Sequence, residues 1–401
     1  MFLFALHPFL WYYADEARPY ALQMALGCAL LWSSVEIIEK KGDSRAGWLG
    51  FLSSGFLLCA SSLLCIIPVG SVWVALLVLF RKHRWSVRRH MIVASAVFLP
   101  LFLSLGAYYL HALNKSTEPK LWAFGANNLA YGAYEILGFQ GLGPGRSALR
   151  TTASGSGQLL GIFQPHMVPI AALALAFIPV GLVGVRMLWT GRNIHVTWMT
   201  GILVLSIIGF LTLGLVLKFP FWGRHLSPLL PFFVCLVAVI CRQFKSKLLG
   251  PAMILVMGLF WAVSTANIRV HPRFDKDDYR SAVLFAKRAL AEGDTVWWAA
   301  NALGAKFYDL QTTSFDQVAQ TTDREDAGAL FGPACYSVVK ANANDLEALP
   351  TPSCVILSKP DIFDEHGNVR RFLKRMGYQV EARFTAFEVW ARTTEARPDS
   401  Q

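Results

Sequence analysis

GWLGFLSSGFLLCASSLLCIIPVGSVWVALLVLF fills residues 47–80, 34 consecutive positions without Asp, Glu, Lys, Arg or His. A helix rises 1.5 Å per residue and needs about 20 apolar residues to cross about 30 Å of hydrocarbon. The block is therefore too long for one straight helix. Read as a tight hairpin of two spans, 48–63 and 64–80, it decides how the rest of the chain is threaded.

Six further apolar blocks surround it, at 19–38, 91–111, 167–187, 196–217, 229–241 and 249–268. They are continuous rather than alternating, which favours helices over a barrel. Basic residues in the connections test the count. Lys40, Lys41 and Arg45 form one group, Arg81, Lys82, Arg84, Arg88 and Arg89 a second, Arg186 and Arg192 a third, and Arg242, Lys245 and Lys247 a fourth. With eight spans all four groups fall on one side, as the positive-inside rule requires; a single span at 47–80 would separate the first from the second. The expected fold is an α-helical polytopic membrane protein of about eight spans over residues 1–268. It is followed by an extracytoplasmic α/β domain over 269–401. The expected location is a bacterial inner or cell membrane.

Composition agrees. The chain has 401 residues, of which 54% are hydrophobic and 16% charged, with a mean hydropathy of +0.43, too apolar for an ordinary soluble domain. The formal charge of +11 does not indicate nucleic acid, because the basic residues sit in short loops rather than on one soluble face. Residues 1–10 lack the basic start and small-residue cleavage site of a signal peptide, and an apolar stub this short cannot span. The chain reads as though a preceding segment were missing.

The eight-span threading sends every polar candidate to the extracytoplasmic face. Tyr12-Tyr13-Ala14-Asp15-Glu16-Ala17-Arg18-Pro19-Tyr20 places two carboxylates, an arginine and three tyrosines at a membrane boundary. Ionisable groups there are kept mainly when they have a partner or a task. Pairing with Arg18 to make a helix start tolerable is the structural explanation. The stretch 121–139 is aromatic and weakly amphipathic, and reads as a helix lying in the interface. Behind it, Gly141-Leu-Gly-Pro-Gly-Arg-Ser-Ala-Leu-Arg150 offers glycines that let backbone approach a ligand, with Arg146 and Arg150 as phosphate donors; a flexible turn with two solvated arginines fits the same residues. Lys218-Phe-Pro-Phe-Trp-Gly-Arg-His-Leu-Ser-Pro-Leu-Leu-Pro231 sets Arg224 and His225 between an aromatic cluster and a proline-interrupted helix. Arg224 can fork onto phosphate and His225 can donate or accept a proton, or the pair can anchor the chain among lipid headgroups.

The acidic-Arg-x-Tyr run at 15–20 and the Arg-His-x-x-Pro-x-x-Pro element at 224–231 resemble signatures of the integral-membrane GT-C type glycosyltransferases, the dolichyl- or undecaprenyl-phosphate-mannose protein mannosyltransferase-like (glycosyltransferase family 39-like) families. The Gly-x-Gly-Pro-x-x-x-x-Leu-Arg segment also looks like a loop of some bacterial relatives. The resemblance covers most of 1–268. It implies transfer of a mannose-like sugar, with inversion, from a polyprenyl-phosphate donor to a protein, lipid or glycan acceptor. Such chemistry needs a base for the acceptor hydroxyl, cations on the leaving phosphate and an apolar groove for the lipid tail. Asp15 or Glu16 would be the base or hold a divalent metal. Arg18, Tyr20, Arg146, Arg150, Arg224 and His225 would bind substrate. No nucleotide cofactor is indicated, because no strand–glycine–helix fingerprint is present. Relatives also carry a first membrane helix and a large loop with an acidic base ahead of the region where this chain starts. The expectation is thus a truncated or a non-catalytic relative, with a membrane scaffold or a polyprenyl-lipid transporter as the alternatives.

From Asp275 onward the composition is that of a soluble domain: a helix at 277–291, buried strands at 295–300 and 354–358, a helix at 369–376, and a strand pair at 378–384 and 387–392. Cys28, Cys59, Cys65, Cys235 and Cys241 read as small buried hydrophobes, whereas Cys335 and Cys354 could pair in an oxidising compartment. The spacing of Cys and His matches no zinc site.

Overall fold

A computed structural model describes residues 1–14, 19–83, 88–115, 126–145, 148–149, 161–191, 193–217, 223–271, 274, 277–314, 334–339, 341–364 and 366–392. The chain forms two compact units, Met1–Phe274 and Asp275–Gln401.

The first unit is helical. In order it contains α1 (Phe2–Leu6), α2 (Pro8–Ala14), α3 (Tyr20–Glu39), α4 (Arg45–Ser61), α5 (Ile66–His83), α6 (Arg88–Lys115), α7 (Ala126–Ile136), α8 (Met167–Thr190), α9 (Ile194–Leu217), a 3-10 turn (Gly223–Leu229), α10 (Leu230–Cys241) and α11 (Leu249–Val270). Among the described residues, six segments are long and apolar enough to cross a membrane: Tyr20–Glu39, Leu63–His83, Gly161–Thr190, Ile194–Val216, Gly223–Cys241 and Leu249–Val270. This is a multi-pass membrane protein. Leu175, Leu182, Ile207, Leu215 and Leu259 stay exposed on α8, α9 and α11, as lipid-facing positions do.

The 34-residue block divides where its sequence weakens. Ser61 Oγ turns back to the Leu58 carbonyl, competing with the helical ladder, and Ser62 is extended. Pro68 then sits in the first turn of α5, where a missing N–H costs nothing. The two helices run antiparallel. Gly55 lies against Val69 near the turn, and Trp48 packs on Trp73 and Phe80 farther along, with ring centroids 5.7 and 5.9 Å apart. A hairpin is what the block forms.

Contacts between helix ends divide this unit into two poles. Gly47 touches Ile37, so the α3–α4 connection shares an end with the close of α5. The 3-10 turn lies on the other half of α3, because Ser227 Oγ donates to Gln23 Oε1 at 2.6 Å and Gly27 is pressed against Pro228. From there α10 runs toward the first pole, where Ile240 meets Gly184 near the end of α8. Lys40, Lys41, Arg45, Arg81, Lys82, Arg186, Arg242, Lys245 and Lys247 therefore gather at one pole. The start of α3, the Ser62 turn and the 3-10 turn share the other.

The second unit is a six-stranded sheet of order β2-β3-β1-β4-β6-β5, in which β1 (Val296–Ala299), β2 (Thr313–Ser314), β3 (Cys335–Ser337) and β4 (Cys354–Ser358) are parallel, and β5 (Tyr378–Phe384) and β6 (Phe387–Arg392) add an antiparallel pair. Helix α12 (Tyr279–Ala291) supplies Ala282, Val283 and Ala286 to one face; Phe372 and Leu373 of a second helix, Asn368–Arg375, pack on the other. Both faces of β1 and β4 are covered, which is why VWWA and CVILS are unbroken apolar runs. The edge strand β5 alternates instead. The very short β2 and β3 escaped the sequence reading. Cys335 and Cys354 each pair in register with Val296, from opposite sides of β1. Two strand spacings of about 4.8 Å place them beyond disulfide reach, and both are free thiols, so the pairing that an oxidising compartment would have allowed does not form.

Candidate functional site

The second pole holds a cleft of about 200 Å³ lined by Pro19, Tyr20, Gln23, Ser61, Ser62, Leu64, Cys65 and His225. Three pieces of chain build it: the start of α3, the hairpin turn and the 3-10 turn. Tyr20 and His225, taken from two motifs 205 positions apart in sequence, are on its wall together. Arg224 is half-buried beside His225 and its Nε has no hydrogen-bond partner among the described residues. Asp15, Glu16, Arg18, Arg146 and Arg150 lie outside the described residues. Among the described residues no three His, Cys, Asp or Glu side chains come together as metal ligands.

Next to the cleft is a carboxylate that the sequence reading did not single out. Glu135, in the last turn of α7, has no exposed surface. Its Oε1 accepts from Tyr13 Oη at 2.8 Å and from Gln140 Nε2 at 3.0 Å. Gly223 is pressed so closely to its Oε2 that a Cβ there would collide with it. Tyr13 in turn stacks edge-on to Tyr20, with centroids 5.4 Å apart. Glu135 thus touches the residue that opens the 3-10 turn, and through Tyr13 reaches the ring that lines the cleft. A solitary carboxylate among Tyr131, Tyr134, Ile136 and Phe139 was the available signal, since an acid inside an apolar stretch needs buried partners.

A second set of bonds fixes the same region. His7 accepts from the Phe9 N–H at Nδ1, 3.2 Å, which assigns its proton to Nε2 for donation to the Ile136 carbonyl at 3.0 Å. Trp261 Nε1 donates to the Leu137 carbonyl, Ser264 Oγ to that of Gly138, and Asn267 Nδ2 to that of Gly141. Side chains at Gly138, Gly141 or Gly143 would strike Trp261, Ser264 or Tyr134. Gly141 and Gly143, which the sequence had offered for backbone approach to a ligand, lie instead against the chain's own α11 and α7, and Gly138 lies against α11. Helix α7 is likewise pinned to the bundle by its final turn, a stronger constraint than the interfacial placement expected of it.

No family model, curated protein or solved structure matches this chain. The chemistry of the site is the remaining evidence. Among the described residues, the wall of the cleft carries a phenol, a carboxamide, two serine hydroxyls and an imidazole. Apolar floor is given by Pro19, Leu64 and the Tyr20 ring. Such a surface makes several neutral hydrogen bonds to a small polar ligand.

Proposed function

We propose that the chain is a membrane glycosyltransferase of GT-C type, moving a mannose-like sugar from a polyprenyl-phosphate donor to an extracytoplasmic acceptor. The observation that carries this reading is that Tyr20 and His225, from the two stretches that resemble the family, share one cleft. In this reading the helices make eight crossings, with α4 and α6 added to the six segments that are long and apolar enough to span. The basic pole is cytoplasmic by the positive-inside rule, and the cleft and the domain from Asp275 are extracytoplasmic.

The proposed reaction is an inverting displacement. Asp15 or Glu16 takes the acceptor's hydroxyl proton, the acceptor oxygen bonds to the sugar's anomeric carbon, and the bond from that carbon to the phosphate oxygen breaks. Arg18, Arg224, Arg146 and Arg150 stabilise the leaving lipid phosphate, and His225 holds the donor near the break. The transporter alternative calls for an ionisable side chain on a cavity that crosses the bilayer; Glu135 is engaged with Tyr13 and Gln140 instead and does not line the cleft.

Arg224→Ala and Asp15→Ala should each abolish turnover of polyprenyl-phosphate sugar in membranes at unchanged protein level. If both variants keep the parent's rate, the proposed active centre is wrong. A parent chain without turnover would favour the non-catalytic scaffold.

A further inference from the structure

The second unit keeps most of its large apolar side chains inside. Among its described residues Leu284 (56% exposed), Leu303 (74%) and Phe307 (77%) are the ones left exposed. All three belong to two neighbouring helices, α12 and α13 (Ala302–Phe307), whose Ala282, Ala286 and Ala305 pack on the same face of the sheet. Gly304 lies against the Tyr279 ring, which sets α13 beside the first turn of α12. Leu303 and Phe307 are four positions apart and share one side of α13. Each is two positions from the buried Ala305, so that side is turned away from the sheet. Leu284 stands in the same relation to Ala282 and Ala286 on α12.

Cations frame the three. Lys306 is exposed next to Phe307, and Arg280 and Arg288, both exposed, lie one turn either side of Leu284. Neither helix contains Asp or Glu. The helix Asn368–Arg375 on the opposite face of the sheet is also cationic, but it buries Val369, Phe372 and Leu373, and its Arg370 and Arg375 reach Asp364 and Glu347. Apolar side chains framed by Lys and Arg match the boundary between acyl chains and headgroups, where the first insert and the second extend to phosphates. Chain length supplies the proximity. Residues 271–278 join the end of α11 to the start of α12, and fully extended they reach at most about 30 Å, so the first turn of α12, where α13 packs, is held near the bilayer that α11 is long enough to cross. A protein partner fits less well: three side chains offer well below the roughly 800 Å² that each side of a stable interface buries, and lysine is depleted from such interfaces.

We infer that α12 and α13 form a membrane-docking face of the second unit, with Leu303 and Phe307 seated in the interface of an anionic bilayer and Lys306, Arg280 and Arg288 against its phosphates. A transferase and a non-catalytic scaffold would carry such a face alike, so its failure would leave the transferase reading untouched.

The test is hydrogen exchange of the full chain, one copy per nanodisc, in phosphatidylglycerol and in phosphatidylcholine. Amides of 303–308 should exchange more slowly in phosphatidylglycerol, and those of Asn368–Arg375 should exchange alike in both. Lys306→Gln should lower the added protection about fivefold, the share of one cation near an anionic surface. The double variant Leu303→Ser, Phe307→Ser should abolish it, with unchanged exchange over β4 and Asn368–Arg375 showing that the domain is still folded. Equal exchange in the two lipids, or protection that survives the double variant, overturns the docking face. The same slow exchange in detergent micelles overturns it too, since the chain itself would then cover α13, and so does slowing that needs two copies per disc, which would assign the face to a second copy.

Discussion

Tyr13 donates its hydroxyl to Glu135 at 2.8 Å, across 122 positions of sequence, and so ties α2 to the last turn of α7. A hydrogen bond to a buried carboxylate is worth about 1–3 kcal/mol, because the alternative is a desolvated acceptor. Tyr13→Phe should destabilise the membrane unit by that amount, read as a lower melting temperature in nanodiscs. A melting temperature equal to the parent's would show that the bond contributes nothing.

Gly223 and Glu135 should be energetically coupled. Gly223→Ala forces a methyl into the carboxylate, whereas Glu135→Ala vacates the space. The first change alone should sharply lower the folded yield, and the double variant should be better folded than Gly223→Ala by itself. Residues in contact show such non-additivity; simple addition of the two effects would argue against the packing described.

Cysteines placed at Ser62 and at Lys245, in separate chains, should react with a membrane-impermeant maleimide from opposite faces of the bilayer. Those positions mark the two poles of the helical unit, and the parent chain with its seven native cysteines sets the background. Labelling from one face would be incompatible with the arrangement of α3, α5 and α10.

In the second unit, burial pushes the thiols of both Cys335 and Cys354 up to about 12. The thiolate is the reactive form, so at pH 8 neither should alkylate until the domain unfolds. Non-reducing and reducing mass spectra should be identical. A two-hydrogen mass deficit on the peptides carrying these cysteines would contradict the sheet order.

Asp278 caps α12, its Oδ1 accepting from the Ser281 N–H at 3.0 Å. Hydrogen bonding from the Ser281 hydroxyl, and next from its N–H, holds the carboxyl below its ordinary 3.8. A lowered folded value means the stabilisation is complete above the unfolded value and is lost as pH falls through the folded one. Hydrogen exchange over α12 should accordingly quicken below about pH 4 in the parent. Asp278→Asn keeps a cap without that pH dependence, and Asp278→Ala costs about 1 kcal/mol at neutral pH and less as the parent's carboxyl protonates. An equally steep acid response in the Asn variant would rule the cap out as its source.

Elements were legible wherever their cause is local. The 34-residue length of one apolar block marks the hairpin, the acidic start at Asp277 and Gly293 beyond the end bracket α12, and the continuous runs VWWA and CVILS mark buried strands. The site was legible only in part. Tyr20 and His225 stood out because each is a polar residue at a membrane boundary. Gln23 and Glu135 did not, since a single polar residue in an apolar stretch carries no sign of what faces it.

The order of amino acids alone determined that this protein crosses a membrane several times, where its helices break, and that a soluble α/β unit follows. Those properties depend on the transfer of apolar segments out of water and on short-range backbone preferences, both readable within about 20 residues. Only the packed chain decided that Gln23 is turned by Ser227, that Glu135 is shared by Tyr13, Gln140 and Gly223, and that Val296 stands between Cys335 and Cys354. Each of those outcomes joins residues that are distant along the chain, and which partner satisfies a buried polar group is settled by tertiary contact, not by its neighbours in sequence.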